Sequence, residues 1–300
     1  PKQYYIGIDV GGTSVKEGLF DEDGNLLAKA SVPTPPIVDA AGFAAVTEAI
    51  DQVVAKAQIP RAFVAGIGLA VPCPIPASGD AKVKANIAIN LPELRVAIQK
   101  HCPDAVVKYE NDANAAAMGE AWLGSAKGVQ NVVMVTIGTG VGAGVLSGGQ
   151  LVHGMMHPEA GHILVTRDPR DTIGEHSACP FHDNCLEGLI AGPGVKKRWD
   201  GKSAGDMADD PEAMDLLAGY LAQALVTYTL CYAPQKIIIG GGVADHTPIV
   251  PLARKKCAEM LNGYIVTPEV NDIDSYIVNN SLEGKQGIMG CLALGAQALQ

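Results

Sequence analysis

The fold is decided by the stretch Tyr4–Phe20, which reads YYIGIDVGGTSVKEGLF. Small and β-prone residues predict a strand over Tyr4–Val10, a tight turn at Gly11-Gly12 and a second strand over Ser14–Phe20. Asp21–Asn25 (DEDGN) is a strong hairpin signal leading into a third strand, and Pro33–Pro36 closes the unit. The same grammar returns at Val132–Leu146, VVMVTIGTGVGAGVL. There a strand (Val132–Ile137), a glycine turn (Gly138–Gly140) and a strand (Val141–Leu146) run into a further turn at Ser147-Gly148-Gly149. Sliding the first copy by 127 residues puts Asp9 on Thr136, Gly11 on Gly138 and Leu19 on Leu146. Two copies of one meander predict a duplicated architecture with one copy per domain.

Outward from these copies, strands and helices alternate. Helices are expected over Ala40–Ala57, Leu91–His101 and Ala113–Leu123, with strands at Ala62–Leu69 and Ala105–Tyr109 and a Pro-rich loop at Val71–Gly79. After Val165 the chain reads as irregular to Asn184. Helices then follow at Leu186–Trp199, Pro211–Tyr232, Pro248–Leu261 and Gly287–Leu299, with a strand at Lys236–Ile239 running into Gly240-Gly241-Gly242. This alternation predicts an α/β protein of layered sheets. Its 300 residues suit about two domains.

Residues are 48% apolar and 18% charged, as in a well-packed globular chain, and the net charge is −10. That acidity argues against a nucleic-acid partner. It also means that any anionic ligand must be held by local amides, a basic side chain or a cation. No secretory signal and no apolar run long enough to span a bilayer are expected, so no membrane partner is either. Seven cysteines, mostly scattered (Cys73, Cys102, Cys231, Cys257, Cys291), fit reduced thiols of a cytoplasmic protein, mostly in the core.

Five segments could carry chemistry. Asp9-Val10-Gly11-Gly12-Thr13 ends a strand with a carboxylate, two glycines and a hydroxyl, which would cradle phosphate oxygens and hold Mg²⁺ or its water; an ordinary capped hairpin would look the same. Gly138-Thr139-Gly140-Val141-Gly142-Ala143-Gly144 imitates a dinucleotide fingerprint, but strand-like residues follow where a helix is needed, so it reads as a second phosphate loop. No GxxxxGK[ST] occurs, which excludes a P-loop. Glu110-Asn111-Asp112 opens a helix, where the dipole and free amides favour an ionised carboxylate, as a general base requires; a plain N-cap is the simpler use. His157–His162 followed by Cys179-Pro180-Phe181-His182-Asp183-Asn184-Cys185 would supply Cys179, His182 and Cys185 with His162 as a fourth zinc ligand, His176 competing for that place; a loop without a metal is the alternative. Four protein ligands would leave no open position, so the zinc would be structural. Finally, Gly241 and Gly242 after a strand would let an adenine or ribose lie on the backbone, or simply turn the chain into a helix.

Together these segments resemble the ROK family of sugar kinases, within the actin-like ATPase superfamily, over essentially the whole chain. The resemblance implies two duplicated actin-like (ribonuclease H-like) domains around a central cleft, residues 1–116 with 286–300 and residues 117–285. It also implies MgATP as phosphate donor, a hexose as acceptor and a homodimer. Asp9, Gly11, Gly12 and Thr13 look like the first phosphate loop; Gly138, Thr139, Gly140 and Gly142 look like the second, and Gly241 and Gly242 like the nucleotide turn. Asn111, Asp112, Glu159, His162 and Glu187 look like the sugar ligands, with Asp112 the base that deprotonates a hydroxyl, O6 above all. The form Cys-Pro-Phe-His-x-x-Cys with His-Pro-Glu-x-Gly-His before it looks like the fructokinase branch, whereas the first meander looks like the glucokinase branch. Val71-Pro72-Cys73-Pro74-Ile75-Pro76 departs from the family, in which Gly and an acidic residue often flank the second proline. The sugar therefore stays open between fructose and glucose. Some relatives are repressors with an N-terminal helix-turn-helix; none is expected here. A non-catalytic sugar or nucleotide sensor is the alternative, and such a protein would be expected to lose Asp112 or the phosphate loops.

Overall fold

The computed structural model describes residues 3–75, 87–282 and 285–297. In chain order the elements are β1 (Tyr4–Val10), β2 (Ser14–Phe20), β3 (Leu26–Pro33), α1 (Ala40–Ala57), β4 (Val64–Val71), α2 (Leu91–His101), β5 (Val106–Asn111), α3 (Asp112–Leu123), β6 (Val132–Ile137), β7 (Val141–Ser147) and β8 (Gln150–Leu151). There follow α4 (Leu186–Ile190), α5 (Gly192–Arg198), α6 (Pro211–Tyr232), β9 (Lys236–Gly240), α7 (Gly242–Asp245), α8 (Ile249–Leu261), α9 (Pro268–Asn271), α10 (Ile273–Tyr276), β10 (Ile277–Asn279) and α11 (Gln286–Gln297). Pro76, part of the family departure noted above, lies outside the described residues.

The chain divides into two compact units, one of Pro1–Leu123, His153–His157 and Leu282–Gln300, the other of Gly124–Val152 and Pro158–Ser281. The first holds a sheet of order β3-β2-β1-β4-β5, the second a sheet of order β10-β9-β6-β7-β8. Each sheet has three antiparallel strands from a meander and then two parallel ones. The second sheet thus repeats the first. The repeat slips by one residue at its turn: Val10 pairs with Val15, but Ile137 pairs with Val141, so the second turn is one residue shorter.

In the first unit α1 is capped by Asp39, whose carboxylate accepts from the Ala41 and Gly42 amides, and it buries Val46, Ile50, Val53 and Val54 on one helical face. That face covers Val15 and Leu19 of β2 and Ile67 and Leu69 of β4 in one apolar core. The core of the second unit is built on Leu217, Leu221, Leu225 and Tyr228 of α6 with Val133, Val135, Ile237 and Ile239 of the sheet.

Three expectations need correction. The run Leu186–Trp199 is two helices, because Ala191 is extended (φ −68°, ψ 163°) and Gly192-Pro193 restarts the turn. Strand β4 begins at Val64 rather than Ala62, since Arg61–Phe63 form a 3₁₀ turn. Among the described residues one helix, α6, is long and apolar enough by length and composition to cross a membrane. Its apolar residues are mostly buried in the core of its own unit. Of the scattered cysteines only Cys231, near the end of α6, is exposed.

Candidate active site

Strands β1, β4 and β5 run parallel, so their carboxyl ends share one edge of the sheet, where open α/β sheets place ligands. Register sets Asp9, Ala70 and Glu110 in one row across the three strands, with Asn111 opposite Val71 one step on. Asp112 then opens α3. Burial raises the Asp9 carboxyl, and Lys16 opposes it. Asp112 keeps open surface but is crowded by protein, and desolvation pushes its carboxyl up to about 6. The Ala113 amide, donating to Asp112 Oδ1 at 2.8 Å, works against that rise, and the Asp9 charge adds to it. Asp112 is thus a carboxylate poised near neutral pH, the state a general base needs.

The neighbouring side chains hold this turn. Asn111 donates from Nδ2 to the Cys73 carbonyl at 3.3 Å and accepts at Oδ1 from the Ala113 amide at 3.0 Å. Glu110, itself buried, accepts at Oε1 from the Asn111 amide (2.8 Å) and from Asn114 Nδ2 (3.0 Å), and its Oε2 lies 2.8 Å from His153 Nε2. The turn after β1 is closed by the Gly11 amide donating to the Ser14 carbonyl at 2.9 Å. Thr34 ties the same turn down by donating from Oγ1 to the Gly11 carbonyl at 2.6 Å.

In the second unit the corresponding turn is closed by the Gly138 amide donating to the Gly140 carbonyl at 2.9 Å. Thr139 sits at its tip, and Gly142 lies inside β7, paired with Thr136. Thr136 also pairs with Gly240, so the Gly240–Gly242 turn leaves the same sheet edge. Gly241 has φ +94°, and a Cβ there would meet the Ile137 backbone at 2.6 Å, so only glycine fits. Glu187, in the first turn of α4, accepts at Oε2 from the Val141 amide at 2.9 Å, and its Oε1 lies 3.6 Å from His162 Nε2. Glu159 and His162 bracket a 3₁₀ turn over Ala160–His162, which Tyr228 of α6 anchors by donating to the Ala160 carbonyl at 2.7 Å. Gly161 packs so closely on the Val141 carbonyl that a side chain could not be accommodated.

His162, Cys179, His182 and Cys185 place one ligand atom each within 4.8 Å of the others. His162 Nδ1 is 3.8 Å from Cys179 Sγ and 3.7 Å from Cys185 Sγ, and His182 Nδ1 is 3.6 Å from Cys179 Sγ. A tetrahedron with Zn–N near 2.0–2.1 Å and Zn–S near 2.3 Å has N···S edges of about 3.6 Å, so the donor set fits zinc. The Phe181 and Gly188 amides donate to the two sulfurs, at 3.5 and 3.4 Å. His176 is instead exposed and paired with Asp183 at 2.9 Å. Without a cation, burial pushes the Cys185 thiol up to about 12.

The ROK family model matches residues 5–298. The chain belongs to the ROK family. It is 45% identical to a fructokinase of Pediococcus pentosaceus over 192 residues, a match spanning 64% of this chain and 65% of that protein, just under two thirds of the relative's length. Among solved structures it resembles a ROK hexokinase from Thermus thermophilus (TM-score 0.81, 25% identity, 99% of both chains). It also resembles a ROK glucokinase from Streptomyces griseus in complex with glucose and AMPPNP (TM-score 0.73, 25% identity, 98% of this chain and 99% of that one). The α/β architecture of two repeated five-stranded sheets is the duplicated actin-like (ribonuclease H-like) fold of this ROK group.

Sequence reasoning missed the polar surroundings of Asn111 and Asp112. Glu110 lies near the end of β5 and Asn114 in the first turn of α3, so their contact forms only because the chain passes from strand to helix between them. Nothing local points to His153, which reaches Glu110 across 43 residues of chain.

Proposed function

We propose that this ROK protein is an ATP-dependent hexose kinase with Asp112 as its catalytic base. The observation that carries the reading is the Asn111-Asp112 turn, opening α3 at the carboxyl edge of the first sheet, with a base poised near neutrality beside the Asp9 row. The fructokinase, hexokinase and glucokinase names of its relatives support the substrate class. The reaction is a phosphoryl transfer: Asp112 accepts the proton of a hexose hydroxyl, O6 of fructose or glucose, the oxygen forms the new O–P bond, and the bond to the ADP oxygen breaks. Asn111, Glu159, His162 and Glu187 hold sugar hydroxyls.

In the first unit Asp9, Gly11, Gly12 and Thr13 serve phosphate; because Gly11 uses its amide inside the turn, an anion would meet the Gly12 and Thr13 amides. In the second unit Gly138, Thr139, Gly140 and Gly142 serve phosphate, and Gly241 and Gly242 the nucleoside. Mg²⁺, when bound with ATP, neutralises phosphate charge, and Asp9 is the side chain that would hold it or its water. His162, Cys179, His182 and Cys185 hold a structural zinc, whose charge would keep both thiols ionised. The two units act as the protein's two domains. Seven unbridged cysteines support a reducing, cytoplasmic setting, and the family supports a homodimer.

The test is ADP release with MgATP across fructose, glucose, mannose and N-acetylated hexosamines, with Asp112→Asn alongside. One hexose should give turnover well above the no-sugar blank, and the variant should lose about 10²–10⁴-fold. If none of the sugars gives turnover above the no-sugar blank, on folded protein with its metal present, the kinase reading gives way to a sensor.

A further inference from the structure

The segment His153–His157 belongs to the first unit although the chain on either side of it belongs to the second. Its two end residues each reach the Asn111-Asp112 neighbourhood. His153 Nε2 lies 2.8 Å from Glu110 Oε2, and the buried His157 accepts at Nε2 from the Ile75 amide at 3.2 Å. Glu110 holds the Asn111 amide, and two residues back from Ile75 the Cys73 carbonyl holds the Asn111 side chain. His153 thus reaches the turn through Glu110, and His157 reaches it through the short backbone stretch from Ile75 to Cys73.

Glu110 is the centre of that arrangement. A carboxyl group buried to this degree is costly unless its oxygens are satisfied, and both are. The donors are the Asn111 amide, the Asn114 side chain and, with the proton on Nε2, His153. Two of them belong to the turn and helix that carry Asp112, so moving Glu110 moves the backbone from which that carboxylate projects. His153 is half exposed, a poor place for a bond whose purpose is burial energy but a sufficient one for fixing a rotamer.

We infer that Glu110 is a positioning residue: it sets the Asn111-Asp112 turn and so the aim of the base, with His153 holding Glu110 in place. This rests on the kinase reading above. Gln at 110 keeps an acceptor for the Asn111 and Asn114 groups and can donate to the other tautomer of His153; Ala keeps nothing.

The experiment compares wild type, Glu110→Gln, Glu110→Ala and His153→Gln as full chains, measuring kcat and both KM values together with the melting temperature. Displacing a base by about 1 Å costs on the order of 10²-fold. Glu110→Ala should therefore lower kcat by about 30–100-fold with the ATP KM within twofold, Glu110→Gln should recover to within about threefold of wild type, and His153→Gln should sit roughly three- to tenfold down. If Glu110→Ala does not fold, the Gln variants decide. The role is overturned if a folded Glu110→Ala keeps kcat within twofold, if Glu110→Gln is no better than Ala, or if His153→Gln leaves kcat unchanged. A wild-type chain that phosphorylates no hexose overturns the kinase reading itself and the positioning role with it; a working wild type with unaffected variants removes the positioning role alone.

Discussion

Glu17 stands on the core face of β2 between Val15 and Leu19, fully buried, and among the described residues neither of its carboxyl oxygens has a hydrogen-bond partner. Burial pushes its carboxyl well up from the usual range, and the Asp51 charge pushes the same way. The folded protein therefore prefers Glu17 protonated, whereas the unfolded chain ionises it near pH 4.3. A folded pKa raised above the unfolded one gives stability that is complete below the unfolded value and is lost as pH rises toward the folded value. Replacing Glu17 by Met, apolar and of similar length, removes both that loss and an unsatisfied polar group worth about 1–3 kcal/mol. For a unit of this size that amounts to a rise of about 2–12 °C in melting temperature at pH 7. Gln removes the titration but keeps a buried polar group, so it should flatten the pH dependence with little gain in stability. Thermal unfolding of wild type, Glu17→Met and Glu17→Gln between pH 4.5 and 7.5 tests this. The gap between Met and wild type should widen steadily with pH. A gap that is constant with pH, or a Met variant less stable than wild type at pH 7, would refute the reasoning.

Three further outcomes are expected. The kcat/KM profile should fall on the acid side with a midpoint near 6, because Asp112 must be ionised to accept a proton and its carboxyl is raised to about 6; a rate that holds its plateau down to pH 4.5 would exclude it as the base. Removing metal with a strong chelator, or the substitution Cys185→Ser, should release about one zinc per chain and lower both melting temperature and hexose turnover, as read by metal analysis and calorimetry; zinc-free protein with unchanged melting would contradict the structural role. Asp171 and Arg198 form a fully buried, two-pronged pair (2.7 and 3.0 Å) that Tyr220 completes at 2.7 Å. Asp171→Ala should cost about 3–5 kcal/mol in denaturant unfolding, and the double replacement Asp171→Leu with Arg198→Met much less, since the first strands a buried charge and the second does not.

The repeated meander was legible because a strand, a glycine turn and a strand are local events, and the offset from Asp9 to Thr136 is visible as spacing alone. The break at Gly192-Pro193 is equally local, since a proline in the first turn marks the start of a new helix. Spacing also singled out Cys179, His182 and Cys185, because ligands a few residues apart must lie close together. That His162 rather than His176 joins them required the fold, which turns Ala160–His162 against Val141 and Tyr228 and leaves His176 facing Asp183. In the same way the sequence alone marked Asp112 as a carboxylate opening a helix. Its raised pKa comes from crowding and from Asp9, two strands away in the sheet, and its support comes from Glu110 and His153. Sequence by itself determined the elements, their duplication and the residue types of the site, since these follow from hydrogen bonding and periodicity within a few residues. Tertiary structure alone decided burial, charge and the partners of each polar group, because desolvation and long-range contacts exist only once distant segments share a core.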